Sequence, residues 1–184
     1  MHYGEIVSGV FISRPNRFIA QVAIDGKTET VHVKNTGRCK ELLIPDARVF
    51  LEESKNPARK TKYDLVAVYK GGVLINMDSQ VPNKVVEEWL REGTFFHDLV
   101  SVRPETTYGN SRFDLYAETK DEKIFIEVKG VTLEKDGVVR FPDAPSDRAL
   151  KHVEELIKAK QEGYRALLFF VIQMKEVKYF TPNT

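Results

Sequence analysis

Cysteine is nearly absent: Cys39 stands alone among 184 residues. A lone cysteine excludes an internal disulfide and any multi-cysteine zinc site, and leaves the role of a small buried hydrophobe. No apolar run approaches the roughly 20 residues that span a bilayer, and Met1-His2-Tyr3-Gly4 lacks the basic and apolar regions of a signal peptide. A cytoplasmic, membrane-free protein is therefore expected. Repeats and low-complexity segments are missing as well, which removes solenoids and disordered tracts from consideration. Net charge is small, at +1. It hides an asymmetry, because residues 1–80 carry 12 Lys/Arg against 9 Asp/Glu while residues 81–184 carry 16 against 18. The basic half suits phosphate contact and the acidic half suits cation binding.

What is present is an ordinary globular composition, 42% hydrophobic and 30% charged, in a chain long enough for one or two domains. The first half reads as short strands: Glu5–Ser13, Asn16–Ile24, Thr28–Val33, Arg48–Glu53, Leu65–Tyr69 and Val73–Asn76. Arg14-Pro15-Asn16 breaks the first pair, Asp25-Gly26 predicts a type I′ hairpin, and Gly71-Gly72 joins the last two. Several short strands in so little chain predict a closed OB-like barrel over 1–80, since closure removes exposed edges.

The pattern changes at Gln80-Val81-Pro82. A helix is predicted over Asn83–Glu92 with Val85, Val86, Trp89 and Leu90 on one face, and strands over Leu99–Val102, Arg112–Ala117, Lys123–Lys129 and Val138–Phe141. Ser146–Gln161 is the longest predicted helix, its apolar stripe being Ala149, Leu150, Val153, Leu156 and Ile157. Ala166–Ile172 is almost continuously apolar and predicts a strand buried on both faces. This order implies an α/β sandwich around a mixed sheet over 81–184.

In Lys123–Lys129, two-residue alternation sends Ile124, Ile126 and Val128 to one face and Phe125, Glu127 and Lys129 to the other. If Arg112–Ala117 pairs alongside, Asp114 comes near Glu127. Two carboxylates about 4 Å apart repel by roughly 4 kcal/mol at an effective dielectric of 20, so a shared proton or a cation must intervene. Magnesium, or manganese in its place, takes one or two carboxylates and keeps waters. A cation there with Lys129 suits phosphodiester hydrolysis. An isolated Glu-x-Lys is more often a cross-strand salt bridge, so the acidic residue at hairpin distance carries the functional reading.

Arg112-Phe113-Asp114, Ile126-Glu127-Val128-Lys129, and Phe141-Pro142-Asp143-Ala144 followed by Arg148 and His152 resemble the sugar fermentation stimulation protein A family. Asn35-Thr36-Gly37 and Asn83 with Glu88 fit the same pattern. The resemblance implies an N-terminal OB-type domain, a C-terminal domain similar to the PD-(D/E)XK nucleases, DNA binding and a link to sugar utilisation. It maps metal-ligating carboxylates and the motif lysine onto Asp114, Glu127 and Lys129. The motif opens with Arg-Phe-Asp here in place of Pro-Asp.

Glu88, at the edge of the first helix's apolar face, is either a further ligand or a solvated helix charge; Glu87 is expected to point away. Arg148 and His152, four apart, would meet a phosphate or the carboxylates, or else form a structural edge. Asp143 is a cap, a turn residue or part of the site. Lys34, Arg38 and Lys40 in one loop and Lys55, Arg59, Lys60 and Lys62 in another, with Arg112, are candidate phosphate contacts, and Phe11 or Phe18 would offer stacking surfaces. His32 and His97 lack partners for a zinc or nucleophilic site. Three functions compete: a metal-dependent DNA nuclease, a non-catalytic DNA-binding regulator of sugar metabolism genes, and a carbohydrate- or protein-binding module. Strandedness of the DNA and homo-oligomerisation stay open.

Overall fold

The computed structural model describes residues 1–183. The chain forms two compact units, one from His2–Gln80 with Gln173–Tyr179, the other from Met1, Val81–Ile172 and the residues from Phe180 onward. Gln173–Tyr179, grouped with the second half in the sequence reading, thus joins the first unit.

In the first unit β1 (Ile6–Ser13), β2 (Ile19–Ile24), β3 (Lys27–Val33), β4 (Arg48–Glu53), β5 (Tyr63–Lys70) and β6 (Val73–Asn76) form one sheet in the order β3-β2-β1-β4-β5-β6. Parallel pairing of β3 with β5, His32 opposite Asp64, closes the first five into an OB-type barrel. Asp25 and Gly26 both have positive φ, 48° and 77°, as the β2–β3 hairpin requires. At Gly9 a Cβ would lie 2.5 Å from Val22 Cγ1, so only glycine lets β1 press this closely onto β2. β2 starts three residues later than expected because the Asn16 carboxamide accepts the N–H groups of Phe18 and Ile19, at 2.9 and 3.1 Å, and holds a turn. Alternate residues, Phe11, Val22, Val31, Val49 and Leu51 among them, fill the core. Phe11 therefore offers no stacking surface, whereas Phe18 is exposed.

In the second unit α1 (Val81–Arg91) precedes β7 (Leu99–Tyr108), β8 (Ser111–Thr119), β9 (Lys123–Val131), β10 (Leu133–Lys135), β11 (Val138–Phe141), α2 (Asp147–Gln161), β12 (Arg165–Ile172) and β13 (Tyr179–Pro182). The main sheet runs β12-β9-β8-β7, with β12 parallel to β9 and the rest antiparallel; β10, β11 and β13 form a smaller sheet. This is the mixed-sheet α/β sandwich that was expected. β7 outruns its predicted end at Val102 because Pro104 falls on an edge strand, where its missing N–H costs no ladder bond. Ile124, Ile126 and Val128 enter the core beside α1. Phe125 enters the one beside α2 with Phe113, Leu156 and Ala159. On α1 the buried residues are Pro82, Val86 and Leu90, while Val85 and Trp89 stay more than one third exposed. Two further expectations fail. β12 is an edge strand, exposed at every second or third residue, and α2 buries only Leu156 and Ala159 of its apolar residues. Ser146, not Asp143, caps α2, accepting the Ala149 N–H at 3.2 Å.

Candidate metal and phosphodiester site

The site forms where two strands part. The β8–β9 ladder pairs Glu118 with Lys123 through to Leu115 with Ile126. At the next position the Asp114 carboxylate takes over from the backbone: its Oδ2 accepts the Val128 N–H at 2.8 Å. Its Oδ1 accepts from Asn83 Nδ2 of α1 at 2.8 Å. Two donors from two elements fix one carboxylate.

Glu127 is buried, with a side chain only 2% exposed. Its Oε1 receives the Lys129 ammonium, two residues along the same face of β9, and His152 Nδ1 from α2 at 2.7 Å. Its Oε2 is buried and accepts nothing. A buried carboxylate oxygen without a donor is costly, so this atom is where a ligand would gain most. Burial raises the Asp114 carboxyl above the usual carboxylate range, and the neighbouring Glu127 charge adds to it. The Val128 N–H, Asn83 and Lys129 act in the opposite sense. Two carboxylates with one buried oxygen unsatisfied can accept a hard divalent cation or share a proton. Among the described residues no group of three or more His, Cys, Asp or Glu side chains forms a ready-made metal cage.

Asp114, Glu127, Lys129 and His152 thus come together, and Asn83 joins them as a residue whose positioning role the sequence reading missed. Its signal was available, since a polar residue one turn before Val86 and two before Leu90 lies on the inward face of α1. Glu88 is not brought in. Its side chain is 52% exposed and pairs with the Met1 amino group, while Glu87, expected to point away, is the more buried at 25% and receives Arg91 at 2.7 Å. The helical phase explains the exchange: Glu87, four after Asn83, shares its face. Asp143 and Arg148 are exposed on the approach to α2 and in its first turn.

The proposed phosphate contacts divide. Lys34 is only 17% exposed and pairs with Asp78 at 2.9 Å and Glu52 at 3.6 Å. Burial opposes its charge, but Asp78 and Glu52 prevail and hold the ammonium above its ordinary pKa. Arg59 places both terminal nitrogens 2.7 Å from Asp64. These two cations are committed to carboxylates of the barrel unit. Arg38, Lys40 and Lys60 are exposed, and Arg112 is exposed with Glu105 at 3.4 Å. Arg14 donates to the carbonyls of Arg17, Asn35, Gly37 and Arg38, which makes the Arg38 loop a fixed platform. His32 has a structural partner, Asp64, at 2.7 Å.

A barrel of OB type joined to an α/β unit that clusters carboxylates, lysine and histidine where two strands part defines the class. The chain belongs to the sugar fermentation stimulation protein family: residues 80–184 match the model of that protein's RE domain, and residues 12–77 match that of the SfsA N-terminal OB domain. It is 61% identical over 183 residues to the sugar fermentation stimulation protein homolog of Clostridium beijerinckii, covering all of this chain and 81% of that protein. It is 57% identical over 183 residues to the homolog of Ruminiclostridium cellulolyticum, again covering all of this chain and 81% of the other. The solved structure of SfsA from Pyrococcus furiosus in complex with Ca2+ is similar with a TM-score of 0.89 at 28% identity, over 99% of this chain and 79% of that one.

Proposed function

We propose that Asp114 and Glu127 hold a divalent cation, magnesium or manganese, at a phosphodiesterase site that acts on DNA. The observation that carries this reading is the buried Glu127 Oε2 without a hydrogen-bond donor, beside a second, half-buried carboxylate and an ammonium. The donor set fits: magnesium is content with one or two carboxylates because it retains waters. Supporting it, the matched family model is an RE domain and a structurally similar family member was solved in complex with Ca2+. When bound, such an ion would supply a Lewis acid for a phosphoryl oxygen and lower the pKa of water beside it.

The protein's own groups have separate tasks. Asn83 and the Val128 N–H fix the Asp114 carboxylate, so it needs no reorganisation when charge arrives. His152 orients Glu127 through Oε1 and leaves Oε2 for the cation. Lys129 is positioned to balance negative charge building on a phosphoryl group. The exposed Arg38, Lys40 and Lys60 supply phosphate contacts that hold a nucleic acid without reading its sequence.

One observation favours a second reading, that of a DNA-binding regulator without turnover. Both Asp114 oxygens already accept hydrogen bonds, and among the described residues no third carboxylate joins Asp114 and Glu127 in a metal-holding group. Titration with Mn2+ by calorimetry, together with cleavage assays on single- and double-stranded DNA, separates the two. Binding and cleavage that vanish together in Glu127→Gln support the enzyme. Salt-sensitive DNA binding with neither cation binding nor cleavage leaves the regulator.

A further inference from the structure

We propose that the outer face of β4 and β5 in the barrel stacks the unpaired bases of single-stranded DNA, with Arg48, Phe50 and Tyr69 as the platform. On these strands Val49, Leu51, Leu65 and Val68 point into the core, so Arg48, Phe50 and Tyr69 point out. The Arg48 guanidinium carbon lies over both rings, 5.2 Å from the Phe50 centroid and 5.7 Å from that of Tyr69, and the rings meet edge-on at 5.5 Å. Arg48 is exposed, and among the described residues no carboxylate pairs with it. The rings therefore hold the cation in place without neutralising it.

The flanks are aliphatic and open. Arg48 faces Val10 of β1 across the ladder and Tyr69 faces Leu74 of β6, and these two neighbours are 43% and 45% exposed. Glu52, two residues beyond Phe50, accepts the Gly4 N–H at 2.8 Å and lies 3.6 Å from Lys34, so its charge is already met. Planes, apolar edges and an uncommitted positive charge are what an unstacked nucleotide needs: bases stack on aromatic and guanidinium planes while the adjoining phosphate takes the charge. A duplex keeps its base faces covered and cannot use such a platform. A sugar would need side-chain partners for its hydroxyls, whereas Asn76 of β6, on the same face, is already bound to Tyr3 and Gln173.

The place is not the usual one for this barrel type, which commonly takes oligonucleotides on its second and third strands. Here the outward side chains of β2 and β3 include Gln21 and Thr30, bonded to each other at 3.2 Å, with Ala23 opposite Thr28 and Ile19 opposite His32. None of these six is Phe, Tyr, Trp, Lys or Arg, and His32 is tied to Asp64. The stacking chemistry sits on β4 and β5 instead. The platform deepens the proposed action on DNA, on which it rests, by selecting unpaired strands, and it does not depend on the cation.

The test titrates a fluorescein-labelled oligothymidylate of about 12 nucleotides, and the duplex it forms with its complement, with the full chain in EDTA, read by anisotropy. Phe50→Leu/Tyr69→Leu keeps apolar bulk and removes both ring planes; the expected result is a roughly tenfold or greater loss of affinity for the single strand, with duplex affinity held within about twofold. Arg48→Ala, at an exposed position, is expected to weaken the single strand as well and to lower its salt slope by about one, and it decides the matter if the double variant melts early. Single-strand affinity unmoved by these changes, equal losses on strand and duplex, or self-association of the chain that the double variant abolishes while strand binding persists would each overturn the platform alone. A chain that binds neither form of DNA would overturn the DNA reading and the platform with it.

Discussion

The two units each contain a buried acid flanked by a histidine and a cation, and the difference between them separates a structural cluster from a site. In the barrel, Asp64 Oδ1 takes His32 and Arg59, and Oδ2 takes the other Arg59 nitrogen, all at 2.7 Å. Burial works against the charge, but Arg59 and His32 outweigh it and hold the carboxyl below its ordinary pKa of 3.8. Nothing is left to satisfy. In the α/β unit, Glu127 spends one oxygen on Lys129 and His152 and leaves the other buried without a donor, while Asp114 beside it is pushed upward. A complete set of hydrogen bonds rigidifies, whereas an incomplete one in a low-dielectric environment favours a ligand that completes it.

The largest expected contrast is in catalysis. Glu127→Gln should lower manganese-dependent DNA cleavage by about a thousandfold or more, while Asp64→Asn should leave it within a factor of two, read from gel assays with labelled substrate. In stability the order reverses. Asp64→Asn takes the charge from a buried carboxylate that holds both His32 and the half-buried Arg59 and should cost about 2 kcal/mol in urea denaturation; Glu127→Gln should cost less, because it also relieves an unsatisfied charge.

Acidification distinguishes the clusters by sign. Asp64 has a depressed folded-state pKa, so its stabilisation is complete above pH 3.8 and is lost as pH falls through the lower folded value. Asp64→Asn should flatten that acid limb in melts. Asp114 has a raised pKa, so protons compete for it at higher pH, and cation affinity measured by calorimetry should decline as pH drops through a value above 3.8. The smallest effects belong to single exposed cations. Arg38→Ala or Lys60→Ala should each weaken DNA binding modestly and reduce the salt slope by about one, whereas Lys34→Ala should act mainly on stability.

Much of this was legible residue by residue. Asp25-Gly26 marked a hairpin because few residues tolerate its positive φ, and the alternation in Lys123–Lys129 assigned Glu127 and Lys129 to one face. Glu88 proved to be the solvated one of its two expected roles, and Glu87 the more inward, because helix phase was taken from an apolar face that included Val85 and Trp89, both more than one third exposed. Lys34 and Arg59 looked like free loop cations because their acid partners, Asp78 and Asp64, are respectively 44 residues away and on a neighbouring strand.

The sequence by itself determined most of the strands, the change of pattern near Gln80 and which face of β9 carries charge, since those depend on local φ/ψ preference and periodicity. The tertiary structure alone decided which carboxylate oxygen lacks a donor, which lysine is already neutralised and which apolar strand is left uncovered. Each of those depends on groups that meet only when distant strands and helices pack, and no local pattern encodes the meeting.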